Sequence, residues 1–312
     1  MQVILGSGGA IAHPLAQALS SYIGQVRLCS RSLHEVPSKT TGTVYSHQKT
    51  DLLNPESTLR AIEGAEVAYL TAGLTYSTEV WKRDWPVLIE NVLSACAKTN
   101  CKLVFFDNVY AYDPAGYGDL HEGIPLNPPS KKGKVRKDIR ERLLTSHQAG
   151  EVEVAIAVAA DFYGPNIENS MLSETILKNM LKGSGAQWLI NADEPHSFTF
   201  TPDAGRHLAL LGNDSKAFGE VWHLPTAKNP WTVREWVKRV AKELGTKPKL
   251  TVLPKWAYRL IGVFSSDMRE LYDVHQQLEV PYVFNSGKFE STFGVSPTSY
   301  ANGLKEVLNV NA

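Results

Sequence analysis

Cysteine is scarce: Cys29, Cys96 and Cys101 are the three thiols in 312 residues. An odd number in apolar surroundings argues against a disulfide framework and reads as structural thiols in a reducing cytoplasm. No Cys/His cluster has zinc spacing, so no metal is expected. Neither sign of charge is in excess, with 32 Lys and Arg against 32 Asp and Glu. That balance argues against a nucleic-acid partner, which calls for a basic surplus. No apolar run approaches the roughly 20 residues that span a bilayer, so no membrane partner is expected. The start, Met1-Gln2-Val3-Ile4-Leu5-Gly6, has no basic segment and only a very short apolar run. It reads as a strand that begins at once, not as a leader. Internal repeats and low-complexity tracts are also missing.

What is present is a rhythm. Hydrophobic residues make up 43% of the chain, enough for a large core. Short β-branched runs at Val3–Leu5, Val26–Cys29, a weaker Val44–Ser46, Val67–Thr71, Lys102–Phe106 and Val152–Ala159 predict strands. Between them, helical periodicity predicts Ile11–Ile23, a short helix Glu56–Ile62 behind Pro55, a long one over Glu79–Lys98 that Pro86 kinks or divides, and Val135–Leu144. Alternation of this kind predicts an α/β fold with a doubly wound parallel sheet of the Rossmann type over residues 1–162. Ligands of such sheets bind at the carboxyl ends of the strands.

Beyond residue 162 the rhythm changes. Helices are expected at Asn169–Leu181, Pro202–Leu211, Thr232–Leu244, twice within Trp256–Gln277 and at Tyr300–Leu308, with a strand at Leu250–Leu253. Thr232 and Glu235 have capping-box spacing. Residues 163–312 are therefore expected to form a smaller α+β subdomain facing a small-molecule substrate, with some segments returning to the Rossmann core.

The first strand runs into Gly6-Ser7-Gly8-Gly9-Ala10-Ile11-Ala12. Gly6, Gly9 and Ala12 are three apart. A dinucleotide turn needs a sharp bend, then a close backbone approach to the pyrophosphate, then a small residue packing helix against strand. The helix N-terminus offers free N–H groups to the phosphates. Gly6, Gly8, Gly9, Ala10 and Ile11 are thus the expected phosphate cradle. An acidic residue closing the second strand would bond the ribose 2′-hydroxyl of NAD; here the sequence is Cys29-Ser30-Arg31-Ser32. The Arg31 fork and the Ser30 hydroxyl suit a 2′-phosphate, so NADP is expected, with NAD the alternative.

These residues resemble the extended or atypical short-chain dehydrogenase/reductase superfamily, in its NAD-dependent epimerase/dehydratase group. The resemblance rests also on Asp51-Leu52, on Leu70-Thr71-Ala72-Gly73 and on Asn91. Further on it rests on Ala160-Asp161-Phe162-Tyr163-Gly164-Pro165 and on the tract from Phe289 to Leu304 with Phe293-Gly294, Pro297 and Gly303-Leu304. It implies Asp51 and Leu52 near the adenine, and Ala72 and Gly73 near the cofactor's ribose or phosphates.

The family's centre joins a Ser or Thr to a Tyr-x-x-x-Lys pair. The Tyr moves the proton, the Lys lowers the Tyr pKa and holds the nicotinamide ribose, and the hydroxyl polarises the substrate oxygen. This chain departs from that pattern. Aligned with it, Asn108 stands at the Ser/Thr position, Ser130 at the Tyr and Lys134 at the Lys. Tyr110, two residues past Asn108, is the candidate proton carrier; the alternative is that Tyr110 and Tyr112 are packed aromatics. Lys131, Lys132, Lys134, Arg136, Lys137, Arg140 and Arg142 accompany a Val135, Ile139, Leu143 stripe, so most of this charge is expected on a solvated helix face, with Lys134 and one of Lys131 or Lys132 candidates to reach cofactor or substrate phosphates. The resemblance implies that this helix and the long one bearing Trp81 and Trp85 pair in a homodimer; ordinary packing is the alternative. His196, Trp188 and Trp222 are open candidates for substrate contact. The chain is expected to be an NADP-dependent oxidoreductase or epimerase/dehydratase-like enzyme acting on a polar carbonyl or hydroxyl compound. The alternative is a catalytically silent NAD(P)-binding protein that senses redox state.

Overall fold

The computed structural model describes residues 1–32, 42–167 and 170–310. The expected helix start at Asn169 lies outside them. Two compact units emerge. The first comprises Met1–Val109, Val135–Ala159 and Pro202–Leu224; the second comprises Tyr110–Lys134, Ala160–Thr201 and Pro225–Ala312.

In chain order the elements begin with β1 (Gln2–Leu5), α1 (Ala12–Leu19), β2 (Gln25–Ser30), β3 (Val44–Lys49), α2 (Pro55–Ile62), β4 (Val67–Leu70), α3 (Thr78–Thr99), β5 (Lys102–Asp107), α4 (Lys131–Gln148) and β6 (Val154–Val158). Asn54 caps α2 by accepting from the Ser57 N–H at 2.8 Å, and Pro55 fills the first turn, where no donor is needed. α3 runs unbroken for 22 residues through Pro86. α4 starts four residues earlier than the apolar stripe predicts, and its first turn has good acceptors. Ser130 Oγ accepts from the Gly133 N–H at 2.9 Å, and the Asp273 carboxylate accepts from the N–H groups of Lys131 (3.2 Å) and Lys132 (3.0 Å).

The chain continues with β7 (Asp161–Tyr163), α5 (Lys178–Leu181), β8 (Ala186–Leu189), β9 (Phe198–Phe200), α6 (Thr201–Asn213), β10 (Val221–His223), α7 (Val233–Glu243), β11 (Leu250–Leu253), α8 (Lys255–Phe264), α9 (Ser266–Tyr272), α10 (Gly287–Phe293) and α11 (Tyr300–Val310). A π-helical stretch, Ser173–Leu177, runs into α5. Thr232 and Glu235 close a reciprocal capping box at α7.

The first unit is built on a seven-stranded parallel sheet ordered β10-β6-β5-β4-β1-β2-β3. Reading outward from β1, the order reverses between β1 and β4, which is the switch point where such sheets bind ligands. β1, β4 and β6 are buried at every residue, as expected for strands covered on both faces. The edge strand β10 has no counterpart in the sequence reading, because Val-Trp-His is too short to show a period. Trp222 belongs to it. Its indole N–H donates to the Ala217 carbonyl at 2.8 Å, and its side chain is buried in the sheet.

The second unit holds two small parallel pairs, β11 with β8 and β7 with β9. An aromatic core of Tyr163, Trp188, Phe198, Trp236 and Tyr300 packs around them. Trp188 is buried there, and its indole N–H donates to the Asn191 carbonyl at 3.0 Å.

Burial makes one titration visible in stability. His207 on α6 is buried, and desolvation, helped by the Arg206 charge, lowers its pKa to about 4 from 6.5. The unfolded chain therefore binds the extra proton first. Stability should be complete above about pH 6.5 and fall as pH drops toward about 4. Thermal unfolding across that window should show a shallower pH slope in His207→Gln; an unchanged slope would remove His207 as its source.

Candidate cofactor and active site

The glycine turn is held from three sides in the first unit. Gly6 adopts φ +105°, and a Cβ there would sit 2.4 Å from the Ala72 backbone, so β1 and β4 can converge only with glycine at this position. The N–H groups of Gly6 and Ser7 donate to the Cys29 carbonyl at 2.8 and 3.0 Å. The Thr71 hydroxyl donates to the carbonyls of Leu5 and Gly6, each at 3.4 Å. Gly8, Gly9 and Ala10 lie exposed, while the Ile11 side chain enters the core. No side chain caps the N-terminus of α1. Its positive end is left to face whatever lies above the turn.

The neighbouring strand ends bring the other expected cofactor residues to the same edge of the sheet. Ser7 Oγ donates to Ser30 Oγ at 3.0 Å, and Ser30 Oγ donates to the Ser32 carbonyl at 2.5 Å. Arg31 is exposed beside them. After β3, Asp51 Oδ1 accepts from the Leu53 N–H at 3.0 Å, which folds the carboxylate back on its own loop. The Leu52 carbonyl accepts from Asn91 Nδ2 at 3.0 Å, so Asn91 of α3 pins this loop. Ala72 is half-buried and Gly73 exposed after β4.

At the end of β5 the structure corrects the reading of the basic run for three of its seven cations: Lys132, Arg136 and Arg140 are buried, while Lys131, Lys134, Lys137 and Arg142 stay exposed or partly so. Asp107 is buried, and Arg140 Nε donates to its Oδ2 at 2.5 Å. Arg136 Nη1 lies 3.5 Å from Oδ1. The Arg136 guanidinium also sits 4.7, 4.2 and 5.6 Å from the ring centres of Trp81, Trp85 and Phe105. Arg136 and Arg140 are thus interior residues, and Trp81 and Trp85 are buried packing residues of this unit. The i, i+4 spacing of the arginines beside Val135 and Ile139 was the available signal. Arg140 Nη2 also donates to the Asn108 carbonyl at 2.5 Å, fixing the backbone of a half-buried Asn108.

Tyr110, Ser130 and Lys134 belong to the second unit. Tyr110 is half-buried on a 3-10 turn, Val109–Ala111. A Cβ on Gly133 would lie 2.4 Å from the Tyr110 carbonyl oxygen, so this turn and the start of α4 touch backbone to backbone. Ser130 is buried and spent as the cap of α4, whereas Lys134 is exposed. Lys132, one of the two lysines offered as a phosphate contact, is fully buried; its ammonium donates to the carbonyl of Glu270 at 2.9 Å and to the Glu270 carboxylate. Sequence reasoning also missed a polar cluster in this unit. His196 Nε2 lies 2.8 Å from Asp161 Oδ2, and Gln277 Nε2 donates to the same oxygen at 3.3 Å. The Tyr282 ring lies 4.8 Å from that of His196, and burial, then the Asp161 charge, pushes the Tyr282 phenol well above its usual pKa. Among the described residues, no group of three or more His, Cys, Asp or Glu is arranged to hold a metal, and no helix is long and apolar enough to cross a membrane.

No family model matches the chain, and no curated protein matches it in sequence. Solved structures do. UDP-glucuronic acid 4-epimerase from Bacillus cereus in complex with NAD superposes with a TM-score of 0.79 at 16% identity, covering 99% of this chain and 98% of that one. UDP-N-acetylglucosamine 4-epimerase from Bacillus cereus gives 0.76 at 14% identity, covering 100% and 99%. A double mutant of DesIV, a dTDP-glucose 4,6-dehydratase from Streptomyces venezuelae with NAD and DAU bound, gives 0.75 at 16% identity, covering 99% and 96%. The chain therefore has the fold of the NAD-dependent epimerases and dehydratases, over its whole length.

Removing Arg140 would leave the buried Asp107 with Arg136 as its cation. Arg140→Met should lower the unfolding free energy by about 3–5 kcal/mol, read from denaturant midpoints. A midpoint equal to wild type would show that the pair does not hold β5 to α4.

Proposed function

We propose that this chain is a nicotinamide-dinucleotide-dependent enzyme of the oxidoreductase or epimerase/dehydratase kind, acting on a polar carbonyl or hydroxyl compound. One observation carries this reading. At the switch point of the sheet, an uncapped helix N-terminus stands over a turn of exposed Gly8, Gly9 and Ala10. Backbone N–H groups there suit a pyrophosphate, and glycine at positions 8 and 9 adds no side chain of its own to the turn. Asp51 and Leu52 would border the adenine, and Ala72 and Gly73 the ribose or phosphates. Arg31, with no acid in Cys29-Ser30-Arg31-Ser32, favours NADP. Two of the three solved structures hold NAD, which keeps NAD as the competing cofactor. Their names point to nucleotide sugars as the substrate class.

When bound, the cofactor accepts or returns a hydride. Lys134 would hold the hydroxyls of the nicotinamide ribose. The Asn108 amide would donate to the substrate oxygen, with its backbone fixed by Arg140. Tyr110 would carry the substrate proton. The support for these roles is the register of the sequence, the half-burial of Asn108 and Tyr110, and the exposure of Lys134. A second reading is favoured by Ser130, which replaces the family's Tyr and is consumed as a helix cap. It describes a protein that binds NAD(P) without turning it over and reports redox state. Bound cofactor with no hydride exchange against a wide panel of carbonyls and alcohols would establish it.

Titration with NADPH and NADH should show tighter NADPH binding that weakens about 10-fold in Arg31→Ala. Equal affinities, unmoved by the substitution, would assign the site to NAD. Tyr110→Phe should reduce turnover by about 10²–10⁴-fold while cofactor affinity is kept. Full turnover in that variant would remove Tyr110 from the mechanism.

A further inference from the structure

α8 carries an apolar face left open to solvent. Trp256 and Phe264 are 72% and 86% exposed, and Leu260 and Val263 lie between them, also exposed. Their spacing places all four within an arc of about 100° on the helix. Isolated exposed apolar side chains need no explanation, but concentration does. Of the twelve large hydrophobics exposed among the described residues, six fall between 256 and 271. The inner side of α8 is anchored. Tyr258 is buried, with its ring edge-on to Tyr272 at 5.3 Å. α9 is tied to the start of α4 by Glu270, which receives the Lys132 ammonium, and by Asp273 just beyond it. The open face thus belongs to a fixed helix, not to a loose end.

Its charge is one-sided. From Leu244 to Ser266 there is no Asp or Glu, while Lys247, Lys249, Lys255 and Arg259 occur, in a chain whose charges balance as a whole. Lys255 is 2.5 Å from Glu279 and so partly neutralised. Lys247, Lys249 and Arg259 are exposed, and helical geometry sets Arg259 at the edge of the apolar arc. The exposed acids that flank the segment in sequence are Glu243, at the end of α7, and Asp267, at the start of α9.

We propose that α8 docks this protein on a bilayer surface bearing anionic headgroups, with the Trp256–Phe264 face entering the interface and Lys247, Lys249 and Arg259 meeting the headgroups. A bundle of exposed aromatic and aliphatic side chains flanked by cations is the pattern of an interfacial helix. A second copy fits less well. A two-fold contact through this face would set the same basic segment against itself, which is repulsive.

The full-length protein is sedimented with vesicles of phosphatidylcholine alone and of phosphatidylcholine with phosphatidylglycerol, at low and high salt. It should pellet with the anionic vesicles and be released by salt. Trp256→Ser combined with Phe264→Ser should cut partitioning by at least about 10-fold. Arg259→Gln should cut it roughly fivefold and flatten the salt dependence. These side chains are exposed, so unfolding temperatures should stay at the wild-type value. Three results would overturn the proposal. One is wild-type protein that stays in the supernatant with every vesicle. Another is partitioning that the double substitution leaves unchanged. The third is a dimer in sedimentation velocity that the double substitution dissociates, without any vesicle binding.

Discussion

The buried pair of Asp107 and Arg140 sets the geometry on which the expected active-site strand depends. A carboxylate at the end of β5, out of contact with water, is tolerable only with a well-placed cation. Arg140 supplies it from α4 and grips the next backbone carbonyl, that of Asn108, with the same guanidinium. One side chain thereby fixes both the strand end and the first residue beyond it. Arg136, one helical turn earlier, adds a second cation and lies against the indoles of α3. A bidentate, planar, permanently charged group can do this; a lysine could reach the carboxylate but not both acceptors in one plane.

The Rossmann half was legible because each of its layers leaves a local trace. Strands buried on both faces read as continuous apolar runs, and their crossover helices show a four-residue recurrence. Pro55 and, in the second unit, the Thr232–Glu235 box announce their helix starts in a few letters. What stayed hidden depends on distant partners. Lys132, Arg136 and Arg140 look like surface charge until Glu270 and Asp107 are brought to them from elsewhere in the chain. The early start of α4 could not be read either, because two of the three side-chain hydrogen bonds to its first turn are accepted by Asp273. β10 is three residues long and acquires its identity from β6. In the second unit, His196 was visible as a residue but its pairing with Asp161 was not, since nothing in the sequence between them records it.

The proposed binding and the proposed chemistry draw on different kinds of group. The expected phosphate cradle is made of backbone, and it needs small residues and a free helix end more than any particular side chain. That part of the family pattern is intact from Gly6 to Ala12. Proton transfer needs a named side chain with a suitable pKa, and there the chain departs from its relatives in fold, with Ser130 turned into a helix cap. A backbone-built site tolerates sequence drift that a side-chain-built site does not. The fold matches over its full length at 14–16% identity, and the proposed cradle asks little of side-chain identity.

The edge position of β10 has a consequence for synthesis on the ribosome. Val221 pairs with Ile156, 65 residues earlier in the chain. At about 5–20 residues per second, β6 waits roughly 3–13 s for its outer neighbour to emerge. During that interval its outer row of amide and carbonyl groups is an open template for another nascent chain. The aggregation risk of this protein therefore lies in the timing of its own translation, and a chain cut short after residue 162 would carry that open edge permanently.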